Sequence, residues 1–188
     1  MKKANTLRIG GAVIALAAVS AVGAGGAATA STNERLAVAT INIKGQGQNL
    51  RFQGDDEVVE GDQLQINNRT DPNADGPHTF SLVTKQALPQ RGEERRKCGK
   101  LPPKLKVCER IFDAHDPLGT PIYTVENGNP GWDLPFDKNT DGDSWFTETE
   151  DDTTSREVSN LTNPFVGKLR YFCIVHPFMK GKIKVIED

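Results

Sequence analysis

A short segment near the end of the chain brings together three side chains that bind soft metals. Between Cys173 and Met179, a thiol, an imidazole (His176) and a thioether recur at every third position. Such donors suit copper, and a site of one Cys, two His and a weak axial Met needs one more imidazole. His78 stands at the start of a strand-like run and is the candidate. The pattern predicts copper ligands at His78, Cys173, His176 and Met179; alternatively, Cys173 and Met179 are core residues and His176 lies on the surface.

The composition favours copper over this alternative. The 188 residues include three His and two Met. Met179 is the one Met apart from Met1, and two of the three His fall where a copper site needs them. Three His are too few for a large imidazole cluster, such as a multi-copper oxidase centre.

The other two cysteines, Cys98 and Cys108, are separated by nine residues. In an exported chain this spacing predicts a disulfide. The alternative is a second metal site, which would need further donors. His115 is the only spare His, and we expect it on the surface.

An acidic segment matches the twelve-position calcium-loop pattern, with a Gly at position 6. Ser144 replaces the usual aliphatic residue at position 8, and nearby prolines argue against the flanking helices of an EF-hand. A plain solvated turn is therefore the alternative to calcium. The candidate calcium ligands are Asp137, Asn139, Asp141, Asp143 and Glu148.

The sequence around the candidate ligands predicts short strands. Apolar and polar residues alternate, or β-prone residues cluster, in segments 36–44, 63–67, 79–84, 168–175 and 182–186. Gly, Asn and Asp stand between these runs, and no stretch beyond the first thirty residues shows a convincing helical period. The pattern predicts an all-β antiparallel sandwich or barrel.

The middle of the chain, about 85–160, is long and polar. Segment 85–110 has nine basic and three acidic residues, whereas segment 113–157 has twelve acidic and two basic residues. We expect two elaborate loops lying on the β core. Their charges either neutralise each other or form a docking surface for a charged partner.

The C-x2-H-P-F-M-x-G loop resembles that of the cupredoxins, the small blue copper proteins, and is most similar to the amicyanin-like and plastocyanin-like members. Segment 59–68, with Gly61-Asp62 and Asn67-Asn68, resembles the family's strand before the first His ligand. The resemblance implies a Greek-key β-sandwich over residues 31–188 with a loop-rich insertion at about 85–160. It also implies one type 1 copper, with His78, Cys173 and His176 as equatorial ligands and Met179 as the axial ligand.

The family resemblance further implies single-electron transfer between redox partners, and no enzymatic activity. Partners would dock near His176, Pro177 and Phe178, the usual electron port, or at the charged insertion. Thr79 stands where the family often has an Asn that ties the two ligand loops together. The alternatives are a copper carrier or sequestration protein outside the cytoplasm, and an interaction module that depends on calcium.

The first thirty residues predict export. Lys2, Lys3 and Arg8 precede an uncharged run, and Ala28-Thr29-Ala30 fits a signal peptidase site. An uncleaved anchor is the alternative. Cleavage would leave 20 basic and 25 acidic residues in a periplasmic or extracellular protein. We expect no later membrane span and no nucleic-acid partner.

Overall fold

The computed structural model describes residues 37–159 and 167–187. The signal peptide predicted over residues 1–30 lies outside the described residues. The strands are β1 (Val38–Lys44), β2 (Arg51–Gly54), β3 (Glu57–Val59), β4 (Gln63–Asn68), β5 (His78–Leu82), β6 (Thr124–Val125), β7 (Ser144–Thr147), β8 (Thr153–Glu157), β9 (Lys168–Phe172) and β10 (Lys180–Ile186). The helices are α1 (Pro72–Asp75), α2 (Gly92–Cys98) and α3 (Lys106–His115), with a 3-10 turn at Gly47–Asn49.

The strands form two sheets, which confirms the predicted all-β sandwich. One sheet has the order β2-β1-β4-β8, and the other has the order β3-β10-β9-β5-β7-β6. The pairs β1–β4 and β3–β10 are parallel, and the remaining pairs are antiparallel. The chain repeatedly crosses from one sheet to the other, as in a Greek-key sandwich.

The core fills the space between the sheets. Ile41 and Ile43 of β1 are fully buried while their neighbours are partly exposed, because successive side chains of a strand point to opposite faces. Leu64 and Ile66 of β4 follow the same alternation. Each such side chain contributes about 1.5–3 kcal/mol by leaving water. This core also contains Phe80 of β5, the strand that begins at His78.

The expectation that segment 85–160 forms loops is wrong. Helices α2 and α3 lie in it, and β6, β7 and β8 belong to the sheets. Helix α3 buries Val107, Ile111 and Phe112 on one face, but spans only ten residues, so its period was easily missed among charged neighbours. Since β7 pairs with β5 and β8 with β4, the insertion ends before Ser144.

The predicted disulfide is confirmed and joins the two main helices of the insertion. Cys98 ends α2, Cys108 lies in the first turn of α3, and their sulfur atoms are bonded. Both cysteines belong to a second apolar cluster that includes Phe172 of β9 and Ile174. The insertion therefore packs directly against the strand that leads into the candidate metal loop.

Across residues 37–159 and 167–187, no helix has the length and apolar character needed to cross a membrane.

Candidate metal centre

Two imidazoles and a thiol meet at one end of the sandwich. The ligand atoms of His78, Cys173 and His176 all lie within 4.8 Å of one another. His78 begins β5, and the other two residues stand in the loop between β9 and β10. Among the described residues, this is the one group of three or more His, Cys, Asp or Glu side chains gathered closely enough to hold a metal. The structure thus brings together three of the four predicted copper ligands.

The loop after β9 is closed by its own backbone. The Cys173 amide donates to the Met179 carbonyl (3.1 Å), and the Met179 amide donates to the His176 carbonyl (2.7 Å). Within this turn, His176 Nδ1 lies 3.8 Å from Cys173 Sγ. Met179 is buried and belongs to the main core, as does Cys173. Cys173 and Met179 are therefore core residues, as the alternative to a copper site proposed. The Cys173 thiol nevertheless also lies beside two imidazoles.

His78 offers a free nitrogen to this cluster. Its Nε2 lies 2.9 Å from Thr70 Oγ1, whereas its buried Nδ1 has no hydrogen-bond partner. A buried polar atom without a hydrogen-bond partner destabilises the folded state by about 1–3 kcal/mol, so its presence in a folded protein indicates an additional role. A metal ion bound to Nδ1 of His78 would give this nitrogen a partner.

The hydrogen bonds behind His78 determine which of its nitrogens carries the proton. Asn68 Nδ2 donates to the Thr149 carbonyl (2.9 Å), which orients the Asn68 side chain. Thr70 Oγ1 donates its single proton to Asn68 Oδ1 (2.7 Å). Thr70 must then accept from the Nε2–H of His78, which leaves the lone pair on Nδ1. Sequence reasoning missed Thr70, although Asn68 belongs to the segment that resembles the cupredoxins.

Burial keeps the three ligand groups uncharged in the metal-free protein. Desolvation, reinforced by the nearby His176, lowers the pKa of His78 to about 4. Desolvation also lowers the pKa of His176 and raises the pKa of the Cys173 thiol. The imidazole lone pairs are therefore available near neutral pH, and metal binding must displace the thiol proton.

Thr79, which stands where the family often has Asn, connects the two ligand-bearing segments. Its amide donates to Cys173 Sγ (3.3 Å), and its hydroxyl accepts from the Ile174 amide (3.0 Å). The His176 amide also donates to the same sulfur (3.4 Å). Hydrogen bonds of this kind stabilise a thiolate and orient it. Two neutral imidazoles and a hydrogen-bonded Cys, with a buried Met in the same loop, are a donor set that fits copper.

The structure does not gather the candidate calcium ligands. Asp143 is buried and accepts from the amides of Asn127, Asp133 and Leu134. The remaining groups have separate partners: Asp137 accepts from the amides of Asn139 and Thr140, Asp141 pairs with Arg110, and Glu148 accepts from Tyr123. Within the described residues these oxygens do not converge on one point.

The expectation that His115 lies on the surface is wrong. Helix α3 turns this imidazole into the protein, where it is 1% exposed. Its Nδ1 lies 2.5 Å from the Ile122 carbonyl, and its Nε2 lies 2.7 Å from Ser144 Oγ. The amphipathic period of α3 places position 115 on the same face as Ile111 and Phe112, and this period was the available signal.

The insertion forms one wall of an apolar groove beside the centre. Cys98 Sγ lies 3.8 Å from the Ile174 carbonyl. Gly99 packs next to Pro177, since a Cβ atom added to Gly99 would lie 3.6 Å from the proline ring. The groove has a volume of about 320 Å³. Leu101 and Leu118 line it from the insertion, and Val175 lines it from the metal loop.

The two-sheet sandwich holds one His at the start of β5 and a Cys-His-Met loop between its last two strands. The fold is cupredoxin-like. No family model and no curated protein matches the sequence.

Known structures that resemble this cupredoxin-like fold include copper proteins. Auracyanin A, a "blue" copper protein from Chloroflexus aurantiacus, is 15% identical, with a TM-score of 0.38; the alignment covers 81% of this chain and 100% of that one. A reduced auracyanin from Roseiflexus castenholzii is 14% identical, with a TM-score of 0.38 and coverage of 79% and 96%. A multi-copper oxidase from Pediococcus acidilactici is 11% identical, with a TM-score of 0.37; 84% of this chain aligns with 28% of the oxidase, so the chain spans little more than a quarter of its length.

Proposed function

We propose that this protein carries single electrons by means of one type 1 copper held by His78, Cys173, His176 and Met179. The observation that supports the proposal best is the buried Nδ1 of His78, which has no hydrogen-bond partner and belongs to a ring grouped with Cys173 and His176. Copper bound there would supply a Cu(II)/Cu(I) couple. The chain has three His in all, and His115 is engaged elsewhere, which favours a carrier over an oxidase with several coppers.

The surroundings of the ligands favour electron transfer over copper delivery. His78 and Cys173 are fully buried, Met179 is 1% exposed, and only His176 is partly exposed. The hydrogen bond that Thr70 accepts from His78 and the one that the Thr79 amide donates to Cys173 fix the orientation of these two ligands. A rigid, closed donor set keeps one geometry in both oxidation states, whereas a carrier that exchanges its metal needs accessible ligands.

We also propose that redox partners dock over the exposed edge of His176. Phe178 is 38% exposed and its ring lies 5.9 Å from that of His176, while Val175 is 37% exposed. Leu101 of the insertion, 74% exposed, lies across the groove from Val175. Together these side chains form an apolar surface, defined here as the port surface, beside the one partly exposed ligand. Apolar cores with charged rims are typical of docking sites.

The cations around the port surface favour an acidic partner. Lys100 and Lys104 are exposed, flank residues that line the groove, and form no salt bridge with any described residue. Across the described chain, one ion pair, Arg110–Asp141, joins the basic segment to the acidic segment. Direct pairing between the two segments is therefore sparse, and Lys100 and Lys104 stay available for steering a partner.

The export predicted from residues 1–30 remains part of the proposal. The Cys98–Cys108 disulfide supports it, because disulfides persist in oxidising compartments outside the cytoplasm.

The experiment that tests the function is a visible spectrum of residues 31–188 with added Cu(II), alongside the Cys173→Ser variant. We expect an intense thiolate-to-copper band in the wild type and its absence in the variant, followed by reversible one-electron reduction. Exposure to a competing chelator separates the alternatives: a copper protein that keeps its band supports electron transfer, and rapid loss supports copper delivery. A colourless wild type would overturn the proposal.

A further inference from the structure

A buried row of polar side chains connects the insertion to the candidate metal centre. His115 Nε2 lies 2.7 Å from Ser144 Oγ, and Ser144 Oγ lies 2.7 Å from Ser81 Oγ. The Ser81 hydroxyl donates to Thr79 Oγ1 across 3.2 Å. All four residues are at most 1% exposed. The row therefore runs through direct hydrogen bonds between buried side chains from helix α3, through β7, to β5.

The row ends on the residue that connects the ligand loops. Thr79 donates its amide to Cys173 Sγ and accepts from the Ile174 amide. The Thr79 hydroxyl also lowers the pKa of the Cys173 thiol against the dominant effect of burial. Any change in the hydrogen bonding of the Thr79 hydroxyl therefore acts on the sulfur.

The direction of the hydrogen bonds depends on how many protons His115 carries. The Ile122 carbonyl only accepts, so Nδ1 bears a proton. Because Ser81 donates to Thr79, Ser144 must donate to Ser81 and accept from a protonated Nε2. In this arrangement His115 carries a proton on each nitrogen, and Thr79 Oγ1 receives a hydrogen bond from Ser81.

Removing the Nε2 proton would reverse the row. Nε2 then accepts from Ser144, Ser144 accepts from Ser81, and Thr79 loses the Ser81 donor. Burial favours this neutral form by lowering the pKa of His115; the Ile122 carbonyl opposes the shift, and the positive charge of Arg156 on β8 adds to it. Phe146 of β7 contributes an uncharged ring, and Glu148, which lines the same groove, is tied to Tyr123.

We propose that His115 is a positioning residue for the metal centre. Through Ser144 and Ser81, His115 controls the hydrogen bonds that Thr79 makes at Cys173. The proposal rests on the proposed copper site and gives the insertion a role there. Hydrogen bonds at the cysteine sulfur tune a type 1 copper, so the state of His115 would be visible at the metal.

The first test uses copper-loaded protein. Ser144→Ala removes one oxygen and separates His115 from Ser81, and His115→Gln removes the titrating ring. In the oxidised wild type, we expect the thiolate-to-copper band to shift with pH in a single proton step. In both variants the band should be displaced and independent of pH. Ser155→Ala, which removes a hydroxyl from the other sheet, is the matched control and should behave as wild type. Identical band positions in wild type and Ser144→Ala at every pH would overturn the proposal.

The second test needs no copper. In the metal-free protein, Ser144→Ala should shift the amide resonances of Thr79 and Ile174, and Ser155→Ala should leave them in place. Unchanged amides would overturn the inferred row, whereas a wild type without a blue band would overturn the proposed function alone.

Discussion

Thr70 controls the availability of the first imidazole. Its hydroxyl accepts from the Nε2–H of His78 and donates to Asn68, which leaves the lone pair on Nδ1 of a ring grouped with Cys173 and His176. Outer hydrogen bonds of this type hold a ligand in one tautomer.

We predict that Thr70→Val weakens copper binding by about 10–100-fold, because Nε2–H loses its acceptor and Nδ1 can take the proton instead. The metal-free protein should also lose about 1–3 kcal/mol of unfolding free energy from the unpaired buried group. A Cu(II) titration and chemical unfolding measure the two effects. Thr70→Ser keeps the hydroxyl and should restore both; a Val variant with wild-type affinity would contradict this role.

Protonation of His78 opposes folding of the metal-free protein. Its pKa is about 4 in the folded state, against an ordinary value of 6.5, so the unfolded chain binds the proton more tightly. Between these values stability rises with pH, and it is lost as the pH falls from 6.5 to 4. The depressed pKa of His176 acts in the same direction.

We therefore predict that metal-free wild type loses about 3 kcal/mol through His78 alone between pH 6.5 and pH 4. Chemical unfolding at a series of pH values gives this slope. His78→Gln has no such proton to bind, and its stability should vary less over this range. Equal slopes for the two proteins would show that His78 does not titrate as its burial requires.

Helices α2 and α3 act as one element because Cys98 and Cys108 join them. Their shared apolar cluster includes Ile174, which lies next to Cys173. The ligands themselves stand on β5 and on the loop between β9 and β10. The insertion therefore supports the metal loop from outside and contributes no ligand to it.

We predict that the double variant Cys98→Ser, Cys108→Ser loses on the order of 2–3 kcal/mol of stability, because the unfolded chain gains freedom. The blue band should persist in the folded variant. Denaturant unfolding and the copper spectrum test both expectations, with Cys173→Ser as the converse control that keeps the disulfide and loses the band. Loss of the band in the double variant would show that the insertion is needed to form the centre.

At the scale of the whole molecule, charge is distributed unevenly around the port surface. Lys100 and Lys104 stand on one side of the groove. Asp75 lies close enough to the two imidazoles to raise their pKa values against burial. A partner with a carboxylate-rich edge would be oriented by this difference.

We predict that Lys100→Glu with Lys104→Glu slows electron exchange with an anionic probe, hexacyanoferrate, by about tenfold at low salt, and that the difference shrinks as salt screens it. Stopped-flow mixing measures the rate. Lys168→Glu with Lys184→Glu makes the same change in net charge at the far end of β9 and is the control. Equal rates for both double variants would show that net charge, rather than the basic rim, controls the encounter.

Local chemistry explains why the sequence alone predicted much of this protein. Cys173, His176 and Met179 follow one another at every third position, so they lie in one short loop in any fold. Alternating apolar residues such as Leu64 and Ile66 identify a strand by their period. The spacing of Cys98 and Cys108 likewise suggested their bond. These features depend on neighbours along the chain, which a sequence displays directly.

Other features depend on contacts between distant residues, and only folding creates them. Thr70 reaches His78 because α1 turns the chain back, and the imidazole of His115, at the end of α3, meets the Ser144 hydroxyl of β7. Helix α3 spans only ten residues and is stabilised mainly by apolar packing, so its amphipathic period was a weak signal in the sequence. The donor atoms of His78 and Cys173, 95 residues apart, meet because pairing of β5 with β9 brings their strand ends together.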